Sequence, residues 1–241
     1  MDSPPLAIVT GGAHRLGRAF ARALAHEGFA VVLHYWTSVS DAGLTAEELR
    51  ATGTKVFLAR ADLTDPSSIK RMFQEVDSIP HTLQVLVNSA GVLRSGDSRT
   101  LGPEAWDAIM DLNLRAPFLC AQEAAGRMAA GGLIVNITDV GARKHWSRFP
   151  AYTVSKAGLE SLTGILARAY APNIRVNAIA PGLVLRSEEM PDTEWARLVG
   201  RLPLKRPGTA GEVAEALLFL LKNQYVTGQT LAVDGGYSLL G

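Results

Sequence analysis

Tyr152, Thr153, Val154, Ser155 and Lys156 follow one another, with Asp139 thirteen residues before the tyrosine. On a helix, a tyrosine and a lysine four apart share one face. An ammonium beside a phenol favours the phenolate, which lowers a pKa that is ordinarily about 10. The pair would then give and take a proton near neutral pH. The same spacing also describes an exposed helical pair, so the elements around it decide its meaning.

A second group lies near the start. The apolar run Leu6–Thr10 leads into Gly11-Gly12-Ala13-His14-Arg15-Leu16-Gly17 and then an alanine-rich segment. Glycines between a first strand and a helix permit a tight turn and let backbone amides reach a pyrophosphate at the helix N-terminus. Arg15 stands where a glycine is expected. Its guanidinium could form paired hydrogen bonds to the pyrophosphate or to a planar ligand; the plain alternative is a surface arginine in the first helical turn. The next apolar run ends His34-Tyr35-Trp36-Thr37-Ser38, with no carboxylate before Asp41. A site for NAD wants an acid there for the ribose 2′-hydroxyl. An acid about 5 Å from a 2′-phosphate would cost roughly 3 kcal/mol at an effective dielectric of 20. Its absence, with a histidine and hydroxyls present, favours NADP, although His34 and Trp36 could also simply pack at a sheet edge.

These residues need a frame. Short apolar runs at Leu6–Thr10, Ala30–His34, Lys55–Arg60, Val85–Asn88, Leu133–Thr138, Arg175–Ala180 and Thr230–Val233 read as strands. Amphipathic segments at Arg15–Glu27, Ala46–Thr52, Ser67–Ser78 and Gly211–Leu221 lie between some of them, with Gly28 and Gly53 as stops. The pattern predicts a single-domain, Rossmann-type doubly wound parallel sheet of about seven strands with helices on both faces, spanning residues 1–241. The irregular stretch at about 183–209 reads as a substrate lid.

Composition agrees. The 241 residues are 47% hydrophobic and 20% charged with a net charge of +1, which suits a globular enzyme and argues against a broad nucleic-acid surface. No apolar run approaches a membrane span, and the beginning, Met1 to Pro5, lacks the marks of a signal peptide. A cytoplasmic location is therefore expected. The one cysteine, Cys120, reads as a buried, inert thiol. No set of residues has metal-ligand spacing.

Taken together, the chain resembles the short-chain dehydrogenase/reductases. The resemblance rests on the Thr10–Gly17 turn, Asp62-Leu63, Asn88-Ser89-Ala90-Gly91, Asn113, Tyr152-x-x-x-Lys156, Pro181-Gly182 and the ending Thr227-Gly228…Val233-Asp234-Gly235-Gly236. It implies that Tyr152 is the proton donor, that Lys156 lowers its pKa and holds the nicotinamide ribose, and that Asn113 anchors a relay water. It further implies a cofactor site made by Gly11, Arg15, Leu16, His34, Tyr35, Trp36, Ser38, Asp62, Leu63, Asn88, Ala90, Gly91, Pro181 and Gly182. Hydride transfer would be the chemistry of the cofactor, which the protein orients.

Two departures narrow the resemblance. The family commonly has a serine where this chain has Asp139, and a glycine where it has Arg15; both changes look like the pteridine reductases and dihydromonapterin reductases. Glu188, Glu189, Met190, Pro191 and Trp195 in the lid, and His34-Tyr35-x-x-Ser38, are similar to that group as well. A pterin offers ring and amino N–H donors and must gain protons on ring nitrogens. A carboxyl beside Tyr152 can accept those donors or, if burial raises its pKa, pass on a proton. The plain reading makes Asp139 a loop cap, with Thr138 in the serine's role. Leu93 stands where pteridine reductases place a stacking aromatic residue. Arg15, Leu93, Asp139, Tyr152 and Leu183 are the expected substrate contacts.

The expected reaction is NADPH-dependent reduction of a pterin or dihydropterin. The alternatives are a carbonyl reductase, such as one for 3-oxoacyl thioesters, and a non-catalytic nucleotide-binding protein. Arg143, Lys144, His145 and Arg148 could grip an anionic tail or form a solvated loop. The helical stretch 103–128, the helix after Tyr152 and the ending 237–241 suggest packing against other copies, and the resemblance implies a homotetramer.

Overall fold

The strands form because near-continuous apolar runs can be buried on both sheet faces at once. In the computed structural model, which describes residues 3–187 and 190–240, they are β1 (Leu6–Thr10), β2 (Ala30–Tyr35), β3 (Val56–Arg60), β4 (Leu83–Asn88), β5 (Gly132–Ile137), β6 (Ile174–Pro181) and β7 (Thr230–Val233). All neighbours pair in parallel, in the order β3-β2-β1-β4-β5-β6-β7. The chain is a single-domain Rossmann fold.

Alternation divides the core. Ala7, Val9, Val31, Leu33, Val85, Val87, Leu133 and Val135 face one layer, where they meet Phe20 and Leu24 of α1 (Arg15–His26), Leu49 of α2 (Val39–Ala51) and, further along, Val213 and Leu217 of α8 (Ala210–Lys222). Leu6, Ile8, Val32, Leu86, Ile134 and Val176 face the other layer, against α3 (Pro66–Val76), α5 (Ala116–Ala125) and α6 (Pro150–Tyr170). Each helix is held by one apolar stripe.

Several helices depart from expectation. The second begins at Val39, not Ala46, because weak periodicity hides its first turns. Buried Ala42 and Thr45 anchor them, and Thr45 donates its hydroxyl to the Ala13 carbonyl at 2.8 Å. The stretch 103–128 is not one helix. It divides into α4 (Pro103–Met110), a π-helical turn (Asp111–Arg115) and α5. Pro117 has no N–H to offer the Asn113 carbonyl four residues before it, which favours the wider turn. The lid contains α7 (Asp192–Arg201) rather than being irregular throughout. Its Glu188 and Glu189 lie outside the described residues. No described helix is long and apolar enough to cross a membrane.

Candidate active site

Strand β1 is flanked by β2 and β4, so the chain leaves it in one direction and later returns on the other side. A crevice opens at the carboxyl ends of the strands where such an order reverses. The residues expected to bind a dinucleotide gather at this edge.

Close backbone contact explains the glycines. Gly11 has φ of +62°, and a Cβ there would stand 3.0 Å from the Ala90 Cα; a Cβ at Gly17 would overlap the Gly11 carbonyl oxygen. The turn after β1, the start of α1 and the segment after β4 therefore touch without intervening side chains. Thr10 Oγ1 accepts from the Ser89 and Ala90 amides at 3.0 and 3.1 Å, fixing the same junction. Arg15 sits at φ +53°, a left-handed conformation that costs a non-glycine residue about 1–2 kcal/mol. Its guanidinium reaches over the crevice and donates to the Leu185 and Arg186 carbonyls at 2.9 and 3.3 Å, joining turn to lid. Leu16 is half-buried against the core under the turn.

His34 corrects the sequence expectation. It is buried, its Nδ1 accepts from the Gly11 amide at 3.0 Å, and its Nε2 lies 3.0 Å from the Ala61 carbonyl. Both nitrogens are spent on the protein, so the ring braces the turn and does not meet a ligand. Burial lowers its pKa from 6.5 to about 4, which keeps it neutral. Tyr35 is half-buried, and Trp36 and Ser38 remain at the mouth of the crevice ahead of α2. Asp62 Oδ1 accepts from the Thr64 amide and hydroxyl at 2.9 and 2.7 Å. Leu63 is a core residue, so only its backbone can face the crevice.

Asn88 donates to Asn136 Oδ1 at 2.9 Å, and Asn136 donates to Thr163 Oγ1 at 3.0 Å. The Asn88 Oδ1 is buried with no partner among the described residues. Asn113 is fully buried inside the π-helical turn; it accepts from the Val92 amide and donates to the Val92 carbonyl, both at 2.9 Å, and to Ser155 Oγ at 3.2 Å. Its side chain thus positions the Val92 backbone against the π-helical turn. A Cβ on Gly91 would lie 3.2 Å from Asn113 Oδ1 and 3.4 Å from Lys156 Nζ. Gly182 is similarly confined by the Asp234 backbone, beside buried Pro181 and half-buried Leu183.

The proton-handling group meets where β5 ends and α6 begins. Tyr152 Oη donates to Asp139 Oδ2 at 2.7 Å, and the Gly141 amide donates to Asp139 Oδ1 at 2.6 Å. Asp139 therefore both caps its loop and pairs with the tyrosine. Thr138 turns away, donating to the Ile179 carbonyl at 3.2 Å, so it does not take the serine's role. Lys156 donates to the Ile137 carbonyl at 2.8 Å and stands 5.8 Å from the centre of the Tyr152 ring. The expected lowering of the tyrosine pKa is reversed. Burial, then the charge and hydrogen bond of Asp139, hold Tyr152 well above 10. Burial raises Asp139 against the opposing effects of Tyr152, Gly141 and Lys156, and it lowers Lys156 to about 8. The buried tyrosine is thereby kept as a proton donor.

Leu93 is 46% exposed. The aromatic residues come from elsewhere. Trp146 lies across Gly141, with its ring 6.1 Å from Phe149 and 6.3 Å from Tyr237. Lys144 sits 4.9 Å above the Tyr237 ring and donates to the Leu240 carbonyl, so it belongs to this wall and not to a free loop. Burial raises the Tyr237 pKa; the Asp139 charge acts in the same direction, while Arg201 and Arg197 oppose it. No spacing in the chain links residues 146 and 237, and only their aromatic character hinted at them. Cys120 is buried, with its thiol pushed up to about 12, and takes no part. Among the described residues, no group of three or more His, Cys, Asp or Glu could hold a metal ion.

The glycine cradle at Gly11 and Gly17 and the unpaired Asn88 oxygen fit an extended dinucleotide. Residues 11–238 match the family model described as enoyl-(acyl carrier protein) reductase. A Staphylococcus aureus 3-oxoacyl-[acyl-carrier-protein] reductase is 35% identical over 237 residues, covering 95% of this chain and 96% of that one. The FolM alternative dihydrofolate reductase 1 of Brucella canis, solved with NADP, superimposes with a TM-score of 0.93 at 32% identity, covering 98% and 95% of the two chains. A blue fluorescent protein from a metagenomic library, solved with NADPH, gives 0.91 at 31% identity over 97% of each chain. With this fold, crevice and proton-handling trio, the chain belongs to the short-chain dehydrogenase/reductase family.

Proposed function

We propose that the chain is an NADPH-dependent oxidoreductase that reduces a pterin or dihydropterin. The observation that carries this reading is the hydrogen bond from Tyr152 to Asp139. NADPH, when bound, supplies the hydride. Tyr152 delivers the proton to the reduced substrate, and the Asp139 carboxylate receives the N–H donors of the ring. Lys156 and Asn113 fix the positions of Ile137 and Val92 at the sides of the crevice.

A second reading, reduction of a 3-oxoacyl thioester, draws on the Staphylococcus reductase, and the curated relatives favour it. Tyr152 would then protonate the ketone oxygen, and Asp139 would only orient the tyrosine. NADPH oxidation by the purified protein, offered dihydrobiopterin, dihydrofolate and an acetoacetyl thioester, separates the two. Under the first reading the pterins turn over, and Asp139→Ser lowers their rate by about 10²–10⁴ while NADPH still binds. Turnover of the thioester alone establishes the second. We also propose a homotetramer, which light scattering on the purified protein would measure.

A further inference from the structure

We infer that Trp146 is a positioning residue for the proton transfer: its ring clamps the turn that holds Asp139, and the last turn of the chain holds the ring. The inference rests on the Asp139–Tyr152 pair of the proposed reaction, which both substrate readings use.

Asp139 stands on the loop just after β5. Its Oδ2 accepts from the Tyr152 hydroxyl at 2.7 Å, and its Oδ1 accepts from the Gly141 amide at 2.6 Å. The tyrosine belongs to α6, whereas Gly141 belongs to the short turn Val140–Arg143. The angle at which the carboxylate meets the phenol therefore depends on how that turn is held.

Trp146 holds it. A Cβ at Gly141 would lie 2.5 to 2.8 Å from carbons of the indole, so the ring rests directly on the Gly141 backbone and only glycine leaves room for it. The chain reaches this arrangement through a constrained bend. The Lys144 amide donates to the Gly141 carbonyl at 3.0 Å, and His145 has φ of +50°, a left-handed conformation that residues other than glycine seldom adopt. Trp146 is thereby folded back over Gly141. Strained backbone of this kind persists where the packing around it demands one conformation. Away from Gly141, the indole meets Phe149, whose carbonyl accepts the Thr153 amide at 2.8 Å at the start of α6. It also meets Tyr237 of the C-terminal turn, which Lys144 ties down from above. One ring thus stands between the turn of Asp139, the helix of Tyr152 and the end of the chain.

Misplacing a reacting group by about 1 Å can cost 10²-fold in rate. Trp146→Ala should lower kcat by about 10- to 100-fold on whichever of dihydrobiopterin, dihydrofolate and an acetoacetyl thioester turns over, with KM and the NADPH dissociation constant within about threefold. Trp146→Phe, which keeps a ring, should recover most of the rate. The decisive comparison is made in the Asp139→Ser background. A ring that acts through Asp139 has nothing left to position there, so adding Trp146→Ala should cost less than about threefold more. Effects that multiply, or a loss confined to KM, overturn the inference. Turnover of the thioester alone would sink the pterin reading and leave this comparison intact on that substrate. Hydrogen exchange of the NADPH-loaded protein gives a readout without turnover: the Gly141 amide should exchange about tenfold faster in Trp146→Ala, and an unchanged rate overturns the inference. Should the alanine variant not fold, Trp146→Leu, which keeps apolar bulk without the flat ring, takes its place with the same outcomes.

Discussion

Tyr152 donates to a half-buried carboxylate and not to a second hydroxyl, and this changes its electrostatics. Burial first, then the charge and hydrogen bond of Asp139, raise the pKa of the phenol and favour its protonated form. Tyr152→Phe should lower kcat by about 10²–10⁴ while leaving the dissociation constant for NADPH within a fewfold, as stopped-flow turnover and calorimetry would show. Loss of nucleotide binding along with turnover would mean that the hydroxyl holds the site together instead. The generic pair Tyr152 and Lys156 was legible from its spacing, and so was the candidacy of Asp139. The direction of the tyrosine pKa was not. It depends first on how deeply the ring is buried and then on the approach of Asp139, and spacing along a helix measures neither.

Elements meet at His34 and Gly17, and each makes a prediction. His34 ties the turn after β1 to the end of β3 through its two nitrogens. Its folded-state pKa of about 4 lies below the ordinary 6.5, so as pH falls the unfolded chain takes the proton first. Stability is present above pH 6.5 and drains away as pH drops towards 4, by about 3 kcal/mol in all. Urea unfolding measured across this range should show the slope, and His34→Gln should flatten it. At Gly17 a methyl group would overlap the Gly11 carbonyl. Gly17→Ala should therefore force α1 away from the turn, lowering both the melting temperature and nucleotide affinity; an unaltered protein would show that the junction yields easily. The glycines were visible in the sequence as a turn. The histidine was open to two readings, ligand or packing residue, because a polar ring at the end of a strand faces either way until the register of its neighbours is known.

At the scale of the molecule, the sheet buries both faces, yet α6 leaves an uncharged strip outward. Val154, Ala157, Ser161, Gly164 and Ile165 are all exposed there, Ile165 to 61%. Such a strip suits close helix packing between copies. Ile165→Glu should shift the assembly to smaller species in light scattering, while the isolated fold keeps its circular-dichroism spectrum. An unchanged mass would place the contact between copies elsewhere.

The sequence by itself determined the sheet, its parallel direction, the dinucleotide turn and the identities of Asp139, Tyr152 and Lys156, because periodicity and glycine chemistry act over a few residues. Tertiary structure alone decided which side chains remain available. It spent His34 and Asn113 on bracing, carried Arg15 across to the lid, and brought Trp146 to Tyr237. Those outcomes depend on strand register and on the closing of distant loops. Burial and charge then act through distance in space, which separation along the chain does not encode.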